Sequence, residues 1–540
     1  MTTNKLLYFF ILSGLLLGIS FPATGGLTFL IFFALIPMLI AEQHIYEKRL
    51  RARKVLWLSY PGFIAFNAIS TWWIVNASVG GMLMAVFLNG FIMAFYFWIY
   101  HLVHRRYGNY WGHAALVSLW MSYEYIHYHW ELAWPWLNFG NAFATKTTWV
   151  QWYEYTGVGG GTFWVLLVNL IGFYAVQNIY FKNIPAKKNL GVLITWLALI
   201  ITPLLISLKI YNGYTEKKDP LDVVVVQPNI NPYGDKFHNM TGEEQMVVFL
   251  RNSFMVLDTN VDYIVGPETA LPYSLDEEKL MATDDIEFLF RAYSRLPHTG
   301  IVIGMSSHNE YKPGEPHPEN ARDDGSGTLY EFYNSALFIS KNRELNVYHK
   351  SKLVLGVEKI PFVSWLPFLE NFALELGGTS GTLGTEKEPK IFTEKNSRVK
   401  IAPSVCYESI FGEYMGQFTQ KGANVIFVIT NDGWWGDTPG YKQHINFGRL
   451  LAICLRRSIA QSANTGISGF IDQRGEIIQQ TNWWEPTAIR QKINLNNELT
   501  WYAAHGDILY RLSIYFSIAF VLLYLYAYIT GKTFVKRGEV

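Results

Sequence analysis

The chain has 540 residues, half of them hydrophobic and only 16% charged, against roughly 25% charged residues in ordinary soluble domains. A net charge of +1 excludes a broadly basic nucleic-acid binder and gives no reason to expect a strongly charged partner. Two cysteines cannot build a disulfide framework, although a single Cys406–Cys454 bridge stays open in an oxidising compartment.

The apolar excess is concentrated in the first ~210 and the last ~30 residues, which predicts a membrane protein with a large polar insert. Candidate spans of about 20 apolar residues fall at 6–22, 26–42, 55–75, 82–103, 110–128, 162–180, 190–210 and 510–530. The first lacks an A-x-A cleavage site and runs straight into the second, so it reads as a retained helix and not a signal peptide. Lys48, Arg49, Arg51, Arg53 and Lys54 follow span two. Arg105 and Arg106 follow span four, Lys182, Lys187 and Lys188 follow span six, and Lys532, Lys536 and Arg537 close the chain. All these basic loops fall on one side, which the positive-inside rule makes cytoplasmic. Residues ~212–508 are thereby expected on the opposite face, the periplasmic side of a bacterial inner membrane. The outer loop 129–162 holds five tryptophans and reads as an interfacial belt or a substrate-contacting segment, and GVGGG (157–161) as a hinge before span six.

The expected domains are a seven-helix membrane domain (1–211), an α/β catalytic domain (219–507) and a C-terminal membrane helix with a cytoplasmic tail (508–540). Within the insert, 221–227, 262–266, 300–307, 334–340, 399–405 and 423–430 are short β-branched runs that predict buried strands. Helical periodicity covers 241–258 and 442–463, and 311–328 reads as a polar loop. No phosphate-binding glycine loop, cofactor signature or metal-ligand spacing is legible.

Chemistry gathers at three strand ends. Glu268 follows DYIVG, Lys350 closes the extended run ELNVYHK, and Cys406 follows VKIAPSV. In an open α/β sheet such positions converge on one crevice. A thiol at its free pKa is only a few per cent thiolate at neutral pH and needs a base. Glu268 is expected to supply it, and Lys350 to hold the oxyanion that forms on a carbonyl after attack. Lys352 competes with Lys350, because residues i and i+2 of a strand share a face.

The motifs VGPETALP, YHKSKLV and SVCYES resemble the Glu, Lys and Cys motifs of the nitrilase superfamily, whose fold is an α-β-β-α sandwich. With the spans around them, the whole chain resembles the apolipoprotein N-acyltransferases. The likeness includes Trp134–Gly140, QWYEYTG (151–157), VQPNI (226–230), NDGWWGD (431–437) and AAHGD (503–507). The resemblance implies Glu268 as general base, Lys350, chosen over Lys352 by its spacing to Leu353, as oxyanion holder, and Cys406 as nucleophile. It further implies supporting roles for Asn334, Glu358, Tyr407 and Glu408, and substrate contacts from Phe237, Trp434 and Trp435. Phe237 stands where the family has a tryptophan, and KLVLGVE stands where it often reads HLVPFGE.

The implied reaction is ping-pong and needs no cofactor or metal. An acyl chain passes from a phospholipid, usually phosphatidylethanolamine, to Cys406 as a thioester, and then to the α-amine of a diacylglyceryl-modified apolipoprotein. Membrane lipids are therefore the expected surroundings, and 365–384 is expected to form a lipid-touching lid. Two other readings stay open: a membrane-tethered amidase acting on a small amide, and a transporter whose outer domain only binds ligand. A transporter would place charged residues mid-span, where Glu124 is the clearest candidate and Asn67 and Asn89 milder ones.

Overall fold

A computed structural model describes residues 1–318, 321–323, 325–362 and 382–532, apart from the side chains of residues 186, 237 and 238. The chain forms two compact units. One comprises Met1–Ile74, Gly81–Gly213 and His505–Val540, the other Val75–Gly80 and Tyr214–Ala504.

In the first unit, six helices among the described residues are long and apolar enough to cross a membrane: Thr3–Ser20, Thr28–Glu47, Val79–His129, Tyr153–Phe181, Lys187–Gly213 and Ile508–Thr530. The helix over Val79–His129 is broken at Gly108, whose φ of 76° only glycine adopts freely, and so covers the fourth and fifth expected spans. The third falls on the helix Arg53–Thr71. Glycines set the closest approach: a Cβ on Gly14 would lie 1.9 Å from the Gly62 carbonyl oxygen, so these two helices meet this closely only with glycine there.

GVGGG begins at a break in the helix Tyr153–Val176: Gly157 leaves helical geometry with φ 61°, and beyond it Gly159 meets the Tyr510 ring and Gly161 the Tyr153 hydroxyl. Of the five tryptophans in the tryptophan-rich loop, Trp136 is buried and Trp130, Trp134, Trp149 and Trp152 are partly exposed. The loop's 3-10 turns fold inward, burying Trp136 and Phe139, and the Phe139 N–H donates to Glu124 at 2.9 Å. Glu124 also accepts from Thr162 (2.6 Å), Tyr510 (2.7 Å) and Trp120 (3.2 Å), so this mid-span carboxylate is fully satisfied within the unit.

The second unit is a sandwich of two sheets. The first contains β1 (Pro220–Gln227), β2 (Tyr263–Val265), β3 (Leu271–Asp276), β4 (Gly300–Tyr311), β5 (Arg322–Asp323), β6 (Leu329–Ile339), β7 (Leu345–His349) and β13 (Thr487–Asn494). Its order is β13-β1-β2-β4-β6-β5, with β3 on β4 and β7 on β6. The second sheet, ordered β12-β11-β10-β9-β8, contains β8 (Ile401–Val405), β9 (Val425–Thr430), β10 (Ile459–Ala463), β11 (Gly469–Ile471) and β12 (Ile477–Gln480).

The continuous apolar runs follow from burial on both faces. Val224, Val226, Ile264, Ile301 and Ile303 pack under the helices Gly242–Phe254 and Asp284–Ala292. On the inner face, the Tyr263 ring meets Phe427 of the other sheet at 5.8 Å, and Ser462 donates to the Val226 carbonyl at 2.7 Å. Helices Gly412–Gln420 and Pro439–Leu455 cover the second sheet, completing four layers.

The helix expected over 442–463 stops at Leu455, a correction with a clear cause. Arg456 turns left-handed (φ 48°), and the buried Arg457 guanidinium donates to the carbonyls of Ala423, Leu455 and Glu498. The chain then continues as β10, parallel to β9.

Candidate active site

Glu268, Lys350 and Cys406 each stand just beyond a strand: β2, β7 and β8 respectively. The Glu268 loop crosses β4 at Gly304, where a Cβ would come within 2.6 Å of the Glu268 Cα, so the close crossing requires glycine. The Lys350 N–H donates to the Asn334 carbonyl of β6 at 2.8 Å, extending the β6–β7 ladder to the site. Cys406 has φ 52°, a left-handed conformation that costs a non-glycine residue on the order of 1–3 kcal/mol and that its surroundings must hold.

Lys350, 1% exposed, donates to Glu358 Oε1 at 2.9 Å and to Glu268 Oε1 at 3.4 Å. The Asn334 amide bridges the same two carboxylates, 2.7 Å from each. Burial acts to lower the Lys350 pKa, but Glu358 and Glu268 more than offset it and hold the ammonium above its ordinary range. Burial, then the Glu268 carboxylate, pushes the Cys406 thiol well above its usual value, against the pull of Lys350 and a hydrogen bond from Thr430. The site brings together a thiol, a carboxyl group and an ammonium, the groups that proton transfer concerted with nucleophilic attack requires.

Glu408 clasps the two loops together. It accepts from the Val405 N–H (2.8 Å) before the nucleophile, and from Ser351 N–H (2.6 Å), Lys352 N–H (3.3 Å) and Tyr348 Oη (2.7 Å) beside the lysine. Tyr407 is buried with its ring edge-on to Phe411 at 5.1 Å. Despite the unusual KLVLGVE, Glu358 reaches the site: the chain turns at Gly356 (φ 77°) and the Val354 N–H donates to Glu358 Oε2 at 2.8 Å.

Lys352 is not in the cluster; its ammonium lies over the Phe411 and Tyr414 rings at 5.4 and 4.9 Å. Trp434 and Trp435 are half-buried in a turn after β9, where the Trp434 carbonyl accepts from Tyr233 at 2.5 Å and the Trp435 ring stands 5.8 Å from His444. The Phe237 side chain and most of the expected lid, 363–381, lie outside the described residues. Neither Cys406 nor Cys454 is in a disulfide.

Sequence reasoning missed two features. Lys236, one residue before Phe237, is buried and donates to Thr269 Oγ1 (2.7 Å) and the Glu268 carbonyl (3.4 Å); burial brings its ammonium down to about 8, opposed by Glu268. Behind the nucleophile, buried Asp432 meets His444 Nδ1 at 2.9 Å, and His444 Nε2 faces the Cys406 carbonyl at 3.2 Å and Ser409 Oγ at 3.0 Å. The only sequence signal for the pair was the NDGWWGD motif followed by a helix; their contact is a tertiary one.

A four-layer sandwich with a carboxylate, an ammonium and a thiol at three strand ends defines a class of thiol enzymes acting on acyl groups. Residues 217–502 match the model of the carbon-nitrogen hydrolase family, and the chain belongs to that family. Residues 13–171 match a second model, the apolipoprotein N-acyltransferase N-terminal domain, so the chain carries both parts of such an acyltransferase. A protein named apolipoprotein N-acyltransferase from Chlorobaculum tepidum is 29% identical over 509 residues, 92% of each chain. Proteins of the same name are 25% identical over 516 residues in Geobacter metallireducens (92% of this chain, 91% of that one) and 28% over 537 in Haemophilus ducreyi (95% and 97%).

Proposed function

We propose that this chain is an apolipoprotein N-acyltransferase of lipoprotein maturation, with Cys406 as nucleophile, Glu268 as general base and Lys350 as oxyanion holder. The carrying observation is the convergence of Glu268, Glu358 and Lys350, bridged by Asn334, on the charge environment of Cys406.

In the first half-reaction Glu268 takes the thiol proton as sulfur attacks a phospholipid ester carbonyl. Lys350 stabilises the oxyanion. The acyl carbon–oxygen bond breaks, Glu268 protonates the departing alkoxide, and a lysophospholipid leaves. In the second, the α-amine of a diacylglyceryl-cysteine attacks the thioester and Glu268 takes its proton. The carbon–sulfur bond breaks, and the proton returns to Cys406.

Phosphatidylethanolamine is the proposed donor. The basic loops support a cytoplasmic (inner) membrane placement with residues 219–507 on the periplasmic side. Glu358, Asn334, Tyr407 and Glu408 support the site; Phe237, Trp434 and Trp435 contact substrate.

The test is to trap the acyl-enzyme. With labelled phosphatidylethanolamine and no acceptor, the protein accumulates a hydroxylamine-sensitive acyl group that survives Cys454→Ala and vanishes in Cys406→Ala. A diacylglyceryl peptide with a free N-terminus discharges it; the N-acetylated peptide does not. Label that persists in Cys406→Ala overturns the proposal.

A further inference from the structure

In the helical unit, well away in sequence from the catalytic motifs, three ionisable side chains meet with no exposure at all: Glu42, His101 and His104. Glu42 comes from the helix Ile36–Glu47, and the histidines stand three apart on Asn89–His129, one turn before its break at Gly108. Spacing of i and i+3 puts both rings on one helix face.

Both present Nδ1 to the same carboxylate. His101 Nδ1 contacts Glu42 Oε1, and His104 Nδ1 lies 2.9 Å from Oε1 and 3.2 Å from Oε2. The Tyr100 hydroxyl, 2.9 Å from Glu42 Oε2 and 3.5 Å from His104 Nδ1, adds a fourth donor atom.

His104 Nε2 is 2.8 Å from Asn109 Oδ1, an oxygen that only accepts, so Nε2 carries hydrogen. Both Nδ1 atoms and the Glu42 carboxylate thus converge on one buried point, within reach of a single shared cation. His101 has no polar contact other than Glu42, since its Nε2 is unpartnered. The surroundings are shaped to fit: Tyr46 stacks on His104 at 4.0 Å, and Gly112 leaves room for that ring, a Cβ there coming within 2.6 Å of it.

We propose that Glu42, His101 and His104 form a binding site for a divalent transition-metal ion, zinc by ligand type. Two imidazoles and a carboxylate are a known zinc donor set, and the Nε2–H···Asn109 bond is the outer contact that fixes a metal-bound imidazole. The ion would join the helix Ile36–Glu47 to the segment before Gly108, and it would neutralise a carboxylate that is otherwise costly to bury.

The test uses full-length protein purified in detergent without chelator, in a Cys406→Ala/Cys454→Ala background so that no thiol competes. Zinc is expected near one equivalent by elemental analysis, Co2+ is expected to give saturable visible ligand-field bands, and chelator is expected to lower Tm reversibly. Asn109→Ala should weaken binding by roughly 10–100-fold. His101→Ala and His104→Ala should abolish it; should either misfold, the Asn109→Ala affinity and the reversible Tm shift still decide. Absence of saturable Zn2+ and Co2+ binding to the parent protein overturns the proposal and leaves an imidazolium–carboxylate pair. Binding unchanged in a folded His104→Ala protein overturns it equally.

Discussion

The Lys350 ammonium sits 2.9 Å from Glu358 Oε1 but 3.4 Å from Glu268 Oε1. It is thus held chiefly by the supporting carboxylate, which leaves Glu268 freer to exchange a proton with Cys406. Glu358→Gln removes the larger of the two opposing charges on Lys350. With that support gone, the Lys350 pKa falls, so the alkaline limb of kcat/KM is expected to move to lower pH. A pH–rate profile of the variant checks this; an unmoved limb would contradict the assigned role of Glu358.

The two lysines of YHKSKLV separate by environment. Lys350→Ala is expected to cost on the order of 10²–10³ in rate through lost oxyanion stabilisation. Lys352 lies over two aromatic rings outside the cluster, and Lys352→Ala should cost little activity. Steady-state acyl transfer by the two variants decides it, and equal losses would place the oxyanion holder wrongly.

Glu408 satisfies three backbone N–H groups and the Tyr348 hydroxyl at once. Glu408→Ala leaves several buried donors unpaired at roughly 1–3 kcal/mol each, whereas Tyr348→Phe removes one hydrogen bond worth about 1 kcal/mol. Thermal unfolding in detergent should rank Glu408→Ala as much the more destabilising, with loss of activity because the thiol and ammonium loops separate.

Burial disfavours the His444 imidazolium, yet Asp432 outweighs it and raises the pKa above 6.5. A group whose folded pKa is raised contributes stability in full below its unfolded pKa and loses it as pH rises through the folded value. The stability gap between the parent and His444→Gln should therefore be widest near pH 6 and narrow on going alkaline. Unfolding measured across that range checks the sign, and a gap that widens with pH would refute it.

Gly304 permits the Glu268 loop to cross β4. Gly304→Ala forces the backbone of Glu268 to shift and should depress kcat far more than KM, with labelling of Cys406 by a small thiol reagent retained. Full activity in this variant would mean that the position of Glu268 is not limiting.

What the sequence determined on its own was local. Apolar runs of membrane length, β-branched strands buried on both faces, and three reactive residues shortly beyond strand ends are properties of contiguous residues, legible through periodicity and motif spacing. The helix expected to run past Leu455 failed because the buried Arg457 finds its carbonyl partners far off in the chain, at Ala423 and Glu498. The inward fold of the tryptophan loop around Glu124, the Glu408 clasp, and the Asp432–His444 pair behind Cys406 were settled only by the tertiary structure. Each joins polar groups on different elements, and a buried polar group's cost is offset by partners whose distance in sequence carries no local signal. The same reason hid Glu42 from His101 and His104: a spacing of three on one helix is visible, but the carboxylate that gives it chemical meaning arrives from another.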